Sequence, residues 1–329
     1  MRGVTSHRAM RPFSRLLQKR IHTLQSACEV EGVGLHSGVT ARVRLSPALT
    51  AHGIQFVRTD LPGAPAIAAE PSSVVSTVMS TAIGVADAHV ATIEHLMAAL
   101  YATKVTACII EVNTAELPLL DGSAKEWVSA IKQAGLVRLA DAPVAAPPVL
   151  SAPVRVEEAE SWAFALPSPS FRLTVGIDFA SHAPIGRQWA SWSPPENDVG
   201  ADVMSLAGAG SFADEVAPAR TFTLAEHVPA LREAGLIKGG SLDNALVCDT
   251  QRWINGPLRF ENEPARHKLL DLAGDLALLG ARMPNVHVVA FRSSHRLNVK
   301  LARAIESASI ELSPLDGQLS GGNSQCDVG

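Results

Sequence analysis

The two halves of this chain repeat one order of predicted elements: short strands, a helix with a histidine near its start, and an apolar strand. In the first half, apolar and polar side chains alternate around glycines at 21–60, which is typical of antiparallel strands joined by tight turns. Apolar residues at helical spacing predict a helix at 92–102, with Thr92 as its N-cap and His95 near its start. A continuous apolar run at 107–112 predicts a buried strand.

The second half follows the same order. Strands are predicted at 153–158 and 171–179, followed by a helix at 264–279 that carries His267 near its start and by a strand at 286–291. The repeat predicts an α+β fold of two similar domains, each a sheet with helices. Packing the two sheet-and-helix layers together would bury the apolar faces of both.

A proline-rich segment separates the two halves, with four prolines between residues 138 and 153. The predicted organisation is a basic N-terminal tail (1–20), domain I (21–140), a linker (141–152), domain II (153–312) and a C-terminal tail (313–329). A stretch rich in Pro, Gly, Ser and Ala at 192–211 predicts a mobile surface loop.

The composition of the 329 residues is that of a globular protein, with a hydrophobic fraction of 47% and a charged fraction of 18%. The net charge of −4 gives no overall basic field, so we expect no nucleic-acid partner. No apolar run approaches the roughly 18 residues that span a bilayer. The basic N-terminus predicts a disordered tail or, alternatively, weak attraction to an anionic membrane surface. We therefore expect at most peripheral membrane contact, and a monomer.

The four cysteines are widely spaced and form no Cys-x-x-Cys pair. Cys108 and Cys248 lie in apolar, strand-like runs, where a buried free thiol is expected. This pattern favours a reducing compartment, which we expect to be the cytoplasm, and it argues against a metal held by thiolates.

Two clusters of residues suit hydrolytic chemistry, although each also has an ordinary structural explanation. His267 and Asp271 are four residues apart and share a helix face with Asp275, so the first two side chains are able to reach one divalent ion. The alternative is a solvated surface pair. Glu94 and His95 suit zinc hydrolysis, with the histidine as ligand and the glutamate as base. The alternative is an acid favoured by a helix N-terminus beside a packed histidine.

His295 is the third candidate, in a turn after the strand predicted at 286–291, but it is one of eleven histidines. The three clusters together are more specific than any one of them. These segments and their neighbours resemble the UDP-3-O-acyl-N-acetylglucosamine deacetylase family from about residue 21 to 310. The blocks that carry the resemblance are TIEHLMAAL (92–100), ELPLLDGSA (116–124), ARTF (219–222), GGSLDNA (239–245), RHKLLDLAGDL (266–276) and SSHRLN (293–298).

The resemblance implies two similar α+β domains whose helices are packed between outer sheets. It also implies a zinc-dependent hydrolase that removes an acetyl group from an acylated UDP-sugar, in the committed step of lipid A synthesis. The metal ligands would be His95, His267 and Asp271, holding one Zn²⁺ with water in the open position. Fe²⁺ also suits two histidines and an aspartate.

The resemblance assigns roles to four further residues. Glu94 would be the general base that activates water, and Thr221 would help to stabilise the tetrahedral oxyanion. His295 would be the general acid that protonates the departing amine, and Asp275 would orient it.

The resemblance also implies substrate contacts. Phe179 would stack on uracil, or alternatively serve as a core residue, and Lys268 would face polar groups of the substrate. The segment from Phe222 to Val247, Phe222 included, would wall a passage for the acyl chain. The residues that would line this passage, or serve ordinary packing, are Leu231, Leu236 and Ile237.

One departure from the family pattern is Ser294, which stands where the family has glycine. If that position needs a positive φ, we expect strain at Ser294 and an altered posture of His295. Two other functions remain open: a zinc amidohydrolase of another N-acyl sugar, and a non-catalytic binder of acylated nucleotide sugars. Measuring acetate release from substrates with and without the UDP or acyl group distinguishes them.

Overall fold

The computed structural model describes residues 21–139, 148–195 and 210–310 of the chain. The two predicted tails, most of the predicted linker and residues 196–209 of the predicted mobile loop lie outside this part. The domain boundaries and the predictions made for those segments stay predictions.

The elements of the first half end before residue 140. Its strands are β1 (His22–Leu24), β2 (Cys28–Val33), β3 (Thr40–Pro47), β4 (Ile54–Arg58), β5 (Ala66–Ala68), β6 (Val74–Ser76), β7 (Ala82–Val85), β8 (Ala88–Val90), β9 (Cys108–Val112) and β10 (Leu136–Arg138). Its helices are α1 (Glu94–Ala102) and α2 (Lys125–Ala134).

The elements of the second half begin after residue 147. Its strands are β11 (Val149–Leu150), β12 (Val154–Glu158), β13 (Ser161–Pro167), β14 (Arg172–Phe179), β15 (Gly186–Trp192), β16 (Phe222–Leu224), β17 (Leu246–Cys248), β18 (Val286–Phe291) and β19 (Ser309–Ile310). Its helices are α3 (Phe212–Glu215), α4 (Val228–Glu233), α5 (Glu263–Leu276) and α6 (His295–Ala308).

Each half contains a five-stranded sheet, and the two sheets have the same topology. The order is β2-β3-β9-β4-β5 in the first half and β12-β13-β18-β14-β15 in the second. In both sheets the third and fourth strands of this order (β9 with β4, β18 with β14) run parallel, and the other neighbours run antiparallel. In each half, the middle strand lies between two helices in chain order, with α1 before and α2 after β9, and α5 before and α6 after β18. The predicted α+β fold with a repeated unit is therefore confirmed.

The helices α2, α5 and α6 pack on the five-stranded sheets, and α1 packs directly against α5 and α2 between them. Almost every side chain of α1 is buried, including Glu94 and His95 at its start. Beyond these two residues, the helix is apolar on all sides. On α5, Gly274 faces the backbone of Glu94, and a Cβ atom at this position would lie only 2.0 Å from the Glu94 carbonyl oxygen. The missing side chain thus lets the start of α1 approach the last turn of α5.

The prediction that Thr92 caps α1 is wrong. The N-cap is Ile93, without a side-chain capping bond, and Thr92 has a φ of 60°. The Thr92 hydroxyl instead donates to Glu116 Oε1 at 3.3 Å, so a tertiary contact with a buried carboxylate takes the place of local capping. The long helix also ends earlier than predicted, at Leu276. Gly280 (φ 55°) lies in a 3₁₀ segment that follows it.

Each half also contains smaller sheets. In the first half β6, β7 and β8 form a three-stranded sheet, and in the second half β16 and β17 form a parallel pair. Part of the predicted linker forms β11, which pairs with β19. Among the residues that the structure describes, the helices are all too short or too polar to cross a membrane.

Candidate active site

The three predicted metal ligands converge where α1 meets α5. His95 lies in the first turn of α1, and His267 and Asp271 lie one turn apart on one face of α5. Their ligand-type atoms all lie within 4.8 Å of one another, and all three residues are buried. Asp271 Oδ1 is 3.3 Å from His267 Nε2 and 3.7 Å from His95 Nε2. Residues distant in sequence thus present two imidazoles and a carboxylate to one point.

The hydrogen bonds around this cluster fit a bound cation. Asp271 Oδ1 is buried and has no hydrogen-bond partner, whereas its other oxygen accepts from Lys268 Nζ at 2.9 Å. His267 Nδ1 lies 3.1 Å from the carbonyl oxygen of Ala219, so Nδ1 carries the proton and Nε2 is left as an acceptor. Because an unpartnered buried carboxylate oxygen is costly, a divalent ion between these atoms would satisfy the site.

The charge states of the ligands also suit a metal. Burial, assisted by neighbouring His267, lowers the pKa of His95 to about 3. Burial likewise lowers the pKa of His267. Burial alone would raise the pKa of Asp271, but His267 and Lys268 hold it well below its usual range. At neutral pH the site therefore offers two neutral imidazoles and one carboxylate, which are the forms that bind zinc.

Glu94 lies next to His95 at the start of α1 and is 3% exposed. Its Oε2 accepts a hydrogen bond from the backbone N–H of Thr81 at 3.0 Å. Burial raises the pKa of Glu94 to about 7, with His295 opposing this rise and Asp275 adding to it. A carboxylate whose pKa lies near neutrality is suited to accept a proton and release it again.

His295 is the first residue of α6 rather than part of a turn. Its Nδ1 lies 3.0 Å from Asp275 Oδ2. Burial alone would lower the pKa of His295, but the carboxylates of Asp275 and Glu94 raise it to about 9. At neutral pH the imidazole is therefore protonated and suited to donate a proton.

The expected strain at Ser294 is absent. Ser294 has a φ of −131°, which is extended backbone open to any residue, and its hydroxyl accepts from Leu297 N–H as the N-cap of α6. The positive φ in this loop is at Arg292 instead, with a value of 53°. The serine therefore stabilises the helix that begins at His295.

Two residues that the sequence interpretation missed complete the surroundings of Asp275. The Thr81 hydroxyl donates to Asp275 Oδ1, and Asn298 Nδ2 donates to Asp275 Oδ2 at 2.9 Å. Asn298 follows His295 by three residues, so a helix assignment at 295–308 would have identified it. Thr81 carries no local signal, since it reaches Asp275 from a different half of the chain.

Thr221 lies beside the metal-ligand cluster. Its neighbours Ala219 and Phe222 both contact the ring of His267, the latter with ring centroids 6.5 Å apart. The backbone N–H of Thr221 donates to the Gly122 carbonyl at 2.7 Å. The segment that carries Thr221 is thereby tied to the first half.

A cavity of about 660 Å³ opens next to the cluster, and both Phe179 and Lys268 line it. Phe179 also contacts Phe222, with ring centroids 5.5 Å apart. Because Phe222 contacts His267 in turn, aromatic rings lead from the cavity to the predicted metal ligands. Arg292 lines the same cavity and adds a second cation, which the sequence interpretation missed.

The residues proposed to line an acyl passage lie in and after α4. Leu231, Leu236 and Ile237 are all partly buried, and none of the three lines this cavity. Their role stays a prediction.

Comparison with known proteins identifies the family. A family model for UDP-3-O-acyl N-acetylglycosamine deacetylase (LpxC) matches residues 21–307. The UDP-3-O-acyl-N-acetylglucosamine deacetylase of Trichormus variabilis is 47% identical over 289 residues, which cover 88% of this chain and 99% of that protein. The enzyme of the same name from Thermosynechococcus vestitus is 48% identical over 283 residues, covering 86% and 93%. An Arabidopsis thaliana protein named as a probable mitochondrial deacetylase of this kind is 37% identical over 313 residues, covering 90% and 89%. The chain therefore belongs to the UDP-3-O-acyl N-acetylglycosamine deacetylase family.

Proposed function

We propose that the protein hydrolyses the N-acetyl group of a UDP-3-O-acyl-N-acetylglucosamine, releasing acetate and the free sugar amine, and that this reaction serves the synthesis of lipid A. The family match over nearly the whole described chain supports the substrate class. The observation that carries the proposal is the unpartnered oxygen of Asp271 beside two neutral imidazoles, in the same buried cluster as a candidate base and a candidate acid.

His95, His267 and Asp271 would hold one Zn²⁺, and Fe²⁺ suits the same donor set. The ion would supply the Lewis acidity that activates water and stabilises negative charge on the acetyl oxygen. Lys268, bonded to the second oxygen of Asp271, holds that carboxylate in the orientation that leaves Oδ1 for the ion.

Four side chains would carry the proton transfers and the charge. Glu94, whose pKa lies near 7, takes the proton from the attacking water. His295, protonated at neutral pH, donates a proton to the amine nitrogen, so that the leaving group is a neutral amine rather than an amide anion. Asp275 holds the His295 ring through Nδ1 and leaves Nε2 for the donated proton. Thr221 would donate to the developing oxyanion.

The cavity beside the cluster would bind the nucleotide. Phe179 offers an aromatic face to the uracil ring, and Lys268 and Arg292 offer positive charge to the phosphates. The segment from Phe222 to Val247 would cover the acyl chain.

We further propose a monomer in the cytoplasm, with no nucleic-acid partner and at most peripheral membrane contact. The described cysteines Cys28, Cys108 and Cys248 are all free, which suits a reducing compartment. Sedimentation velocity of the purified protein would test the oligomeric state.

The test of the function couples metal analysis to acetate release. We expect about one zinc or iron per chain, acetate release from the UDP-3-O-acyl substrate, and much slower release when the UDP or the acyl group is removed. His95→Ala should lose both metal and activity. His89→Ala removes an exposed histidine of the same half and should keep both. Tight substrate binding without acetate release would contradict the proposal and favour a non-catalytic binder.

A further inference from the structure

Thr81 lies immediately before β7, in the small sheet of the first half, and is completely buried. It makes two hydrogen bonds to ionisable residues of the candidate site. Its backbone N–H donates to Glu94 Oε2 at 3.0 Å, and its hydroxyl donates to Asp275 Oδ1. Thr81 therefore contacts both Glu94, the candidate base on α1, and Asp275, the carboxylate on α5 that holds the candidate acid His295.

The hydroxyl of Thr81 completes the hydrogen bonds of Asp275. Asp275 Oδ2 is occupied by His295 Nδ1 and by Asn298 Nδ2, whereas Thr81 is the donor to Oδ1. Asp275 is fully buried, so water does not replace a donor that is lost. An unpartnered carboxylate oxygen in such a place is costly, and the side chain would rotate to recover a partner. Rotation of Asp275 would move the His295 ring that depends on it.

The backbone of Thr81 is fixed independently of this hydroxyl. The Thr81 carbonyl accepts from Ile93 N–H at 3.3 Å, just before α1 begins. The small sheet and the start of α1 thus hold the backbone of residue 81, and a change of side chain leaves the bond to Glu94 in place. The hydroxyl is the part of Thr81 that contacts the second half of the chain, through its hydrogen bond to Asp275.

We propose that Thr81 is a positioning residue that holds Asp275, and through it His295, in the orientation needed for proton donation, while its backbone holds Glu94. The proposal rests on the proposed deacetylase function for its kinetic test, and its spectroscopic test is independent of that function.

The kinetic test compares Thr81→Val, which keeps the β-branched shape without the hydroxyl, with Thr81→Ser, which keeps the hydroxyl. We expect kcat for acetate release to fall by about 10- to 100-fold in Thr81→Val with KM within about twofold, and to recover largely in Thr81→Ser. Thr103→Val is the matched control. This threonine is also completely buried, but its hydroxyl bonds only to the α1 carbonyls of Ala99 and Leu100, so kcat should be unchanged. If Thr81→Val fails to fold, Thr81→Ala takes its place.

A double-mutant comparison shows whether Thr81 acts through His295. In a His295→Ala background, Thr81→Val should reduce kcat by less than about twofold, because the group that it positions is already gone. A loss in that background as large as in the wild type would overturn the proposal. So would wild-type kcat in Thr81→Val, or a Thr81→Ser variant as impaired as Thr81→Val.

The spectroscopic test uses the Nδ1–H proton of His295 in zinc-loaded, ¹⁵N-histidine-labelled protein, assigned by its loss in His295→Ala. We expect its exchange with water to become at least about tenfold faster in Thr81→Val than in wild type and Thr81→Ser. Unchanged exchange would overturn the proposal even if the wild type releases no acetate. A wild type without deacetylase activity would overturn the proposed function alone.

Discussion

Replacing Gly274 by alanine should separate the two helices that carry the candidate site. Gly274 lies on α5 between Asp271 and Asp275, and its backbone packs against the backbone of Glu94 at the start of α1. An added Cβ would lie 2.0 Å from the Glu94 carbonyl oxygen, whereas real Cβ contacts are not shorter than 3.0 Å. The obstacle is backbone rather than a flexible side chain, so α1 has to move away from α5 by about 1 Å.

A displacement of this size affects both activity and stability. Because His95 lies on α1 and both His267 and Asp271 lie on α5, a shift of about 1 Å changes the distances from His95 to the other two residues. Misplacement of reacting groups by about 1 Å costs roughly 100-fold in rate, and we expect kcat for acetate release to fall by at least that factor. Overpacking of a core typically costs about 1–3 kcal/mol. At about 2–4 °C per kcal/mol, the Tm should fall by roughly 2–12 °C.

The assay measures kcat, bound metal and Tm for Gly274→Ala beside a control, Gly280→Ala. Gly280 follows the same helix and has a φ of 55°, but an added Cβ there meets nothing within 4 Å. The control should therefore lose about 1–3 kcal/mol through backbone strain and keep wild-type kcat and metal content. Wild-type kcat and full metal occupancy in Gly274→Ala would refute the reasoning that close helix contact sets the site.

Three further predictions concern the chemistry. His295→Ala should retain its metal and lose turnover by ~10²–10⁴; near-normal kcat with metal bound would exclude His295 as the acid. Against the opposing effect of burial, the carboxylates of Asp275 and Glu94 raise the pKa of His295 to about 9, so activity that needs the protonated ring is present below that pH and is lost as pH rises through it. Asp275→Asn should therefore move the alkaline limb of kcat to lower pH, and an unshifted limb would contradict this assignment. Chelation should abolish acetate release and lower the Tm, since an ion bound only by the folded chain stabilises it. Both should return when zinc is restored, and a chelated protein with full activity would exclude a metal role.

Short-range patterns were sufficient for the outline of the fold. The helical run around His267 and Asp271 and the strand at 286–291 follow from side-chain periodicity, which depends only on neighbours along the chain. The repeated order of elements likewise predicted two similar sheets. Other elements were missed, among them β13, β15 and the helix that begins at His295. The first two lie beside strands that were predicted, and the SSHRLN block was interpreted as a turn although Ser294 is an N-cap.

Residue identity and helical spacing determined which side chains were chemically able to act: two turns of α5 present His267, Asp271 and Asp275 on one face. Neither feature distinguishes a solvated surface pair from a metal site. That distinction depends on burial and on partners far along the chain, such as Ala219 for His267 and Thr81 for Asp275. The packing of α1 on α5, with Gly274 at the contact, buries these groups, and burial lowers the pKa values of His95 and His267 and raises the pKa of Glu94.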